Sequence, residues 1–170
     1  MPHSKPASAA AAEGAARELY AEILRCWNEG NAGEFARLFG RNSNMVGFDG
    51  SQVDGQENIE VHLSKVFSSH QTAAYVAKVR EVRLLSPGVV LLRAVAGMVP
   101  PGKSDLNPAL NTIHTLIAAS QGNQWRVELF QSTPAAFHGR PEASETLTAE
   151  LRKELKGSGG GISGSGSSGP

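Results

Sequence analysis

Helical patterns come first in this chain and strand patterns follow, and that order restricts the fold more than any single motif does. Two amphipathic helical stretches are followed by a short hairpin, a third helical stretch, and then three or four long strand patterns ending near Gln131. Helices followed by a run of strands predict an α+β domain with helices packed on one face of an antiparallel sheet. If that sheet curls, it encloses a hollow suited to a small molecule.

The first helix is expected over Glu13–Glu29, where Ala16, Leu19, Tyr20, Ile23, Leu24 and Trp27 recur at steps of three and four. Gly30 is placed to end it. Asn31, with Glu34 three residues on, has the spacing of a capping box for a short second helix carrying Phe35, Leu38 and Phe39, with Gly40 as its stop. A short strand over Asn44–Phe48 and the turn Asp49-Gly50 start a hairpin that returns through Ser51–Val53. A third helix follows over Gln56–Ser69, with Ile59, Leu63, Val66 and Phe67 as its stripe and His62 at the stripe's edge.

Strands are expected over Thr72–Leu85, Val89–Val99, Ala109–Ser120 and Trp125–Thr133, separated by Ser86-Pro87-Gly88, the loop after Pro100-Pro101-Gly102, and Gln121-Gly122-Asn123. Val89–Val99 is apolar except at Arg93 and Gly97, so both its faces should be covered and its place should be central. A last helix over Glu142–Lys156 carries Leu147, Leu151 and Leu155 on one side. The expected organisation is therefore a loose arm (1–12), a main domain (13–134), a C-terminal helical extension (135–156), and a Gly/Ser linker or tag (157–170).

Charge and composition exclude several functions. Lys and Arg number 16 and so do Asp and Glu, so the chain has no net field to draw nucleic acid or an anionic membrane. No apolar stretch of about 18 residues occurs, which argues against a transmembrane helix; the expected location is the cytoplasm. The single cysteine, Cys26, lacks the companions of a thiolate zinc site and is expected on a helix face as a small apolar group. The five histidines show neither a pair at the four-residue helical spacing nor an HExxH motif, so no metal is expected.

At this point a family resemblance emerges. Trp27-Asn28-Glu29-Gly30-Asn31-Ala32, with Phe35, Leu38 and Phe39, is similar to the opening of SnoaL-like proteins. Phe48-Asp49-Gly50 with Gly55, Val82 to Pro87, Thr115-Leu116-Ile117, Trp125-Arg126-Val127 and Phe130 to Pro134 together resemble the SgcJ/EcaC branch of that group over about Glu13–Pro134. The resemblance implies the nuclear-transport-factor-2-like cone: three N-terminal helices on a curved antiparallel sheet, here with an extra C-terminal helix. It also implies a cavity at the cone's mouth and a homodimer formed through the sheet's outer face. The wider superfamily includes isomerases, polyketide cyclases, epoxide hydrolases and dehydratases as well as members without catalysis. The branch is also associated with oxidoreductase activity, but the glycine-dense segment after Gly157 lacks the flanking strand and helix of a nucleotide site, and no cofactor is expected.

Cofactor-free chemistry in an apolar cone needs a carboxylate or imidazole in a perturbed environment and a donor for a developing oxyanion. His62 and His114 are the imidazoles outside loops, and Asp49 is the carboxylate at the hairpin turn. Each has a plain alternative: a partly buried histidine with a backbone partner, or an aspartate chosen for turn geometry. Trp27, Phe48, Phe67, Tyr75 and Met98 could line a cavity or simply fill the core. Arg93, isolated in an apolar strand, either pairs across the sheet with Glu81 or meets a ligand's anion or carbonyl. Asn111 and Gln131 would orient a ligand if their strand faces point inward, a parity that a bulge would reverse. Two functions fit this set: binding, isomerising, cyclising or dehydrating a small hydrophobic oxygenated molecule, and a non-catalytic homodimeric binding or assembly module.

Overall fold

The structure is a computed structural model describing residues 5–157; the segment expected to be a linker or tag lies, apart from Gly157, outside those residues. α1 runs from Lys5 to Glu29, so it starts well before Glu13 and takes up most of the expected arm. The reason is local: the alanines from Ala9 to Ala16 are the best helix formers, and Ala12 and Ala16 are buried against the core. α2 (Ala32–Arg37) is capped as expected, with the Asn31 side chain accepting from the Glu34 N–H at 3.0 Å.

Gly40 does not stop a helix. It lies inside β1 (Phe39–Val46), which begins five residues before the expected strand. β2 (Gln52–Asp54) returns antiparallel to β1, and α3 (Gln56–Ser69) has the expected bounds. β3 (Ala74–Ser86), β4 (Val89–Val99), β5 (Thr112–Gln121) and β6 (Gln124–Pro134) form the long meander. A single 3₁₀ turn at Pro108–Leu110 delays β5 to Thr112. α4 (Pro141–Gly157) closes the described chain.

The six strands form one sheet in the order β2-β1-β6-β5-β4-β3. Every pairing is antiparallel except β1 with β6, which is parallel. β4 is an interior strand, one in from the β3 edge rather than at the centre. Register shifts in the β3–β4 pair and between Ile117 and Ala118 on β5 bend the ladder, and this curls the sheet around α1.

Two cores result. On the concave face, Val90, Leu92, Ala94 and Ala96 of β4, Leu116 and Ala118 of β5, and Val127 and Phe130 of β6 pack against Ala16, Tyr20, Ile23 and Leu24 of α1. On the convex face, Leu147 and Leu151 of α4 pack on Val76, Val95 and Leu106. β4 is therefore sandwiched at its Val95–Val99 end, as its apolar run implies, and open on its outer side at Leu91 and Arg93. Gly97 makes the close approach of α4 possible: a Cβ there would stand 3.1 Å from Leu151 Cδ1 and 3.2 Å from both Leu106 and Asn111.

Candidate functional site

A hollow of about 300 Å³ opens between the helices and the concave face. α1 contributes Ile23 and Trp27, α2 Phe35, and α3 His62, Leu63 and Val66. The β1–β2 hairpin supplies Met45 to Asp49, and the sheet supplies Tyr75, Met98, Phe130 and Ser132. These residues meet because their elements alternate. Ile23 and Trp27 share one helical stripe, while Tyr75, Met98, Phe130 and Ser132 are concave-face positions of β3, β4 and β6. The surface is predominantly apolar, with polar groups at few points, the usual make-up of a small-molecule site.

Of the residues singled out from sequence, Trp27, Phe48, Tyr75, Met98, His62 and Asp49 line this hollow. Phe67 stands behind Trp27, edge-on at 5.3 Å between ring centroids. Trp27 is itself fixed by donating its indole N–H to the Ala73 carbonyl at 2.9 Å. Asn28 holds the start of β3 in place, accepting from the Tyr75 N–H at 2.7 Å and donating to its carbonyl at 3.2 Å. Asp49 accepts from the Ser51 N–H at 2.9 Å. That bond, and after it the one from the Ser51 hydroxyl, keep its carboxyl below the usual range, so it is ionised at neutral pH.

Three expected ligand contacts lie elsewhere. Arg93 points from the convex face, where it meets Glu81, its cross-strand neighbour, at 3.4 Å. Gln131 is opposite Thr115, which is opposite Arg93, so it too is on the convex face. The cause is a bulge: Ile117 pairs with Leu129 and Ala118 with Val127, leaving Glu128 as an extra residue. Beyond it the alternation begun by Trp125 and Val127 reverses, and Phe130 and Ser132 turn inward in place of Gln131. Asn111 is buried beneath α4, donating to Thr148 Oγ1 at 2.8 Å, and serves helix docking rather than the hollow.

His114 is more deeply buried than expected, and its partner is a side chain rather than backbone. Its Nδ1 lies 2.8 Å from the Tyr20 hydroxyl, and its Nε2 has no partner. Its ring rests against Tyr75 and Phe130, at 5.2 and 4.8 Å between centroids, one layer behind the wall they form. Burial pushes the imidazole down to about 3, so it is neutral. Tyr20 has one proton to give. Donating it to Nδ1 leaves only an Nε2–H unsatisfied, whereas the other tautomer would strand both the Tyr20 O–H and Nε2. Burial also raises the Tyr75 phenol to about 12, with the Ser132 hydroxyl opposing the rise. The Tyr20–His114 pair went unseen in sequence because its members are 94 residues apart and on different element types.

Cys26 is buried on α1, as expected of an apolar thiol. Among the described residues no group of three or more His, Cys, Asp or Glu side chains converges as metal ligands would. No described helix is long and apolar enough to cross a membrane.

A cystatin-like domain of unknown function from Nostoc punctiforme superposes with a TM-score of 0.71 at 19% identity, covering 86% of this chain and 93% of that one. An NTF-2 like protein of unknown function from Shewanella oneidensis superposes at 0.57 with 12% identity, over 69% and 94% of the two chains. The fold is the NTF2-like cone. A hexachlorocyclohexane dehydrochlorinase, LinA type 2, shares this cone at a TM-score of 0.62 and 12% identity, over 74% of this chain and 86% of its own. No protein-family model matches the sequence, and no curated protein matches it.

Proposed function

We propose that this chain is a SnoaL-like protein that holds a small, hydrophobic, oxygenated molecule in the hollow of its cone, without metal or nucleotide. The observation that carries the reading is the preformed hollow of about 300 Å³ with an apolar wall and polar groups confined to Asp49, His62, Tyr75 and Ser132. An apolar body gains from leaving water, and the few polar groups orient it. A neighbour of the same fold is named as a dehydrochlorinase, which is compatible with this use of the cone. The hollow presents no Lys or Arg, which disfavours a strongly anionic guest there.

In the catalytic form of the proposal the chemistry is proton transfer, as in isomerisation, cyclisation or dehydration. His62 on α3 takes and returns the proton, and the ionised Asp49 lines the same hollow. The buried, single thiol of Cys26 suits the reducing cytoplasm, where we place the protein.

A thermal-shift screen of neutral cyclic ketones, alcohols and lactones tests binding. A guest at a hundred times its Kd should add about 2.7 kcal/mol to stability. Met98→Trp, which fills the hollow, should abolish the shift, and a shift that persists in that variant would refute the site. For any compound turned over, His62→Ala and Asp49→Asn should slow the reaction by roughly 10²-fold or more. Unchanged rates in both would leave binding alone as the function.

The second reading, a non-catalytic homodimeric module, is favoured by the convex face. Leu91, Ile117 and Leu129 lie side by side there, only partly buried and uncovered by α4. A second copy seated on them would form the dimer through the sheet.

A further inference from the structure

α4 does not lie flat on the convex face. Beside it a groove of about 420 Å³ remains. Its apolar floor is built from Val95, Ile113, Leu147 and Phe137. Its charged wall is built from Arg80, Arg93 and Glu150.

Two carboxylates at and beside the groove are each shared between two cations. Glu150 is shared by two cations, Lys78 at 3.3 Å and Arg80. Glu81 is shared by Arg83 at 3.3 Å and Arg93 at 3.4 Å. Each of these two carboxylates is thus contacted by two basic groups. Arg80 spends two N–H groups on Glu150 and is committed. Arg93 spends one N–H on a long contact and keeps the rest of its fork without a protein partner among the described residues. A guanidinium fork is shaped for a carboxylate.

The groove also holds the only non-glycine residue with positive φ among the described residues. Phe137 is held at φ 45°, a costly conformation for a bulky side chain. Arg140 donates its N–H to the Phe137 carbonyl at 2.8 Å and lays its guanidinium 5.5 Å from the ring centroid. The strained turn sets an aromatic ring into the groove that Arg93, only partly engaged by Glu81, also lines.

We propose that this groove is a second binding site, for a monocarboxylate with an apolar body, its carboxylate on Arg93 and its body between Phe137, Ile113 and Leu147. The site stands apart from the cone and does not depend on what the cone holds. Arg93 thereby recovers an anion-binding role, on the opposite face of the sheet from the one its sequence context implied.

Calorimetric titration with sodium decanoate and with 1-decanol tests it. Decanoate should bind more tightly than decanol, and Arg93→Ala should weaken decanoate by about tenfold or more while leaving decanol unchanged. Thr146→Trp, from the α4 side of the groove, should block decanoate, and the cone-filling Met98→Trp should not. The proposal is overturned if decanoate binds equally well to Arg93→Ala and Thr146→Trp. It is also overturned if decanol binds as tightly as decanoate, or if Met98→Trp alone removes binding.

Discussion

His114 places an uncharged imidazole where the surrounding core is otherwise apolar or aromatic, and this gives the protein an acid-sensitive point. Its folded value of about 3 lies below the ordinary value of 6.5, so between those limits the unfolded chain binds a proton that the folded one excludes. The unfolded state then holds more protons, so stability rises with pH across that window and falls on acidification, by up to ~1.4 kcal/mol per unit. The carboxylates act in the same direction but lower down. Glu150, held at about 2 by Arg80, and Asp49 and Asp105, also held low, lose their contributions below their ordinary values of 4.5 and 3.8. From about pH 6.5 to 4.5 the His114 contribution is therefore being lost before those of these carboxylates. Melting temperature should fall steadily across that interval in the wild-type protein, and His114→Gln should flatten the slope. An unchanged slope in that variant would mean that the imidazole is not the group titrating.

At the level of elements, the docking of α4 rests on a missing side chain. Gly97 admits Leu151, and the Asn111–Thr148 hydrogen bond sets the helix's position along the sheet. Gly97→Ala should destabilise the protein by about 1–3 kcal/mol through overpacking, read as a lower urea midpoint with unchanged slope. A neutral outcome would show that α4 shifts outward freely. The same region separates what was legible in sequence from what was not. α3 and β4 were legible to the residue: α3 is a periodic run opened by Asp54-Gly55, and β4 is an almost unbroken apolar run between Pro87-Gly88 and Pro100. α1's true start was hidden because an alanine run has propensity without an amphipathic stripe. The site was half legible. Residues on regular periodic faces, such as Trp27, His62 and Tyr75, came out in the hollow, but Gln131 did not, because the inserted Glu128 leaves no mark in the residue types around it.

The molecule as a whole presents two unlike surfaces on one sheet. α4 and its groove occupy the end of the convex face near Val95, while Leu91, Ile117 and Leu129 lie bare towards the other end, near the exposed Leu85. Light scattering at micromolar concentration should report a particle of about twice 17.9 kDa. Ile117→Asp, which sets a charge at the middle of the bare patch, should return it to a monomer with its fold intact. A wild-type monomer would refute the pairing. The bulge at Glu128 sets which residues face inward and which outward on β6. A strand has two sides, and one surplus residue decides which side each later residue joins. Were the ladder to run straight through Glu128 with no bulge, Leu129 and Gln131 would take the places of Phe130 and Ser132 along the inner wall, so both the hollow and the outer face would be rewritten at once with the amino-acid sequence unchanged.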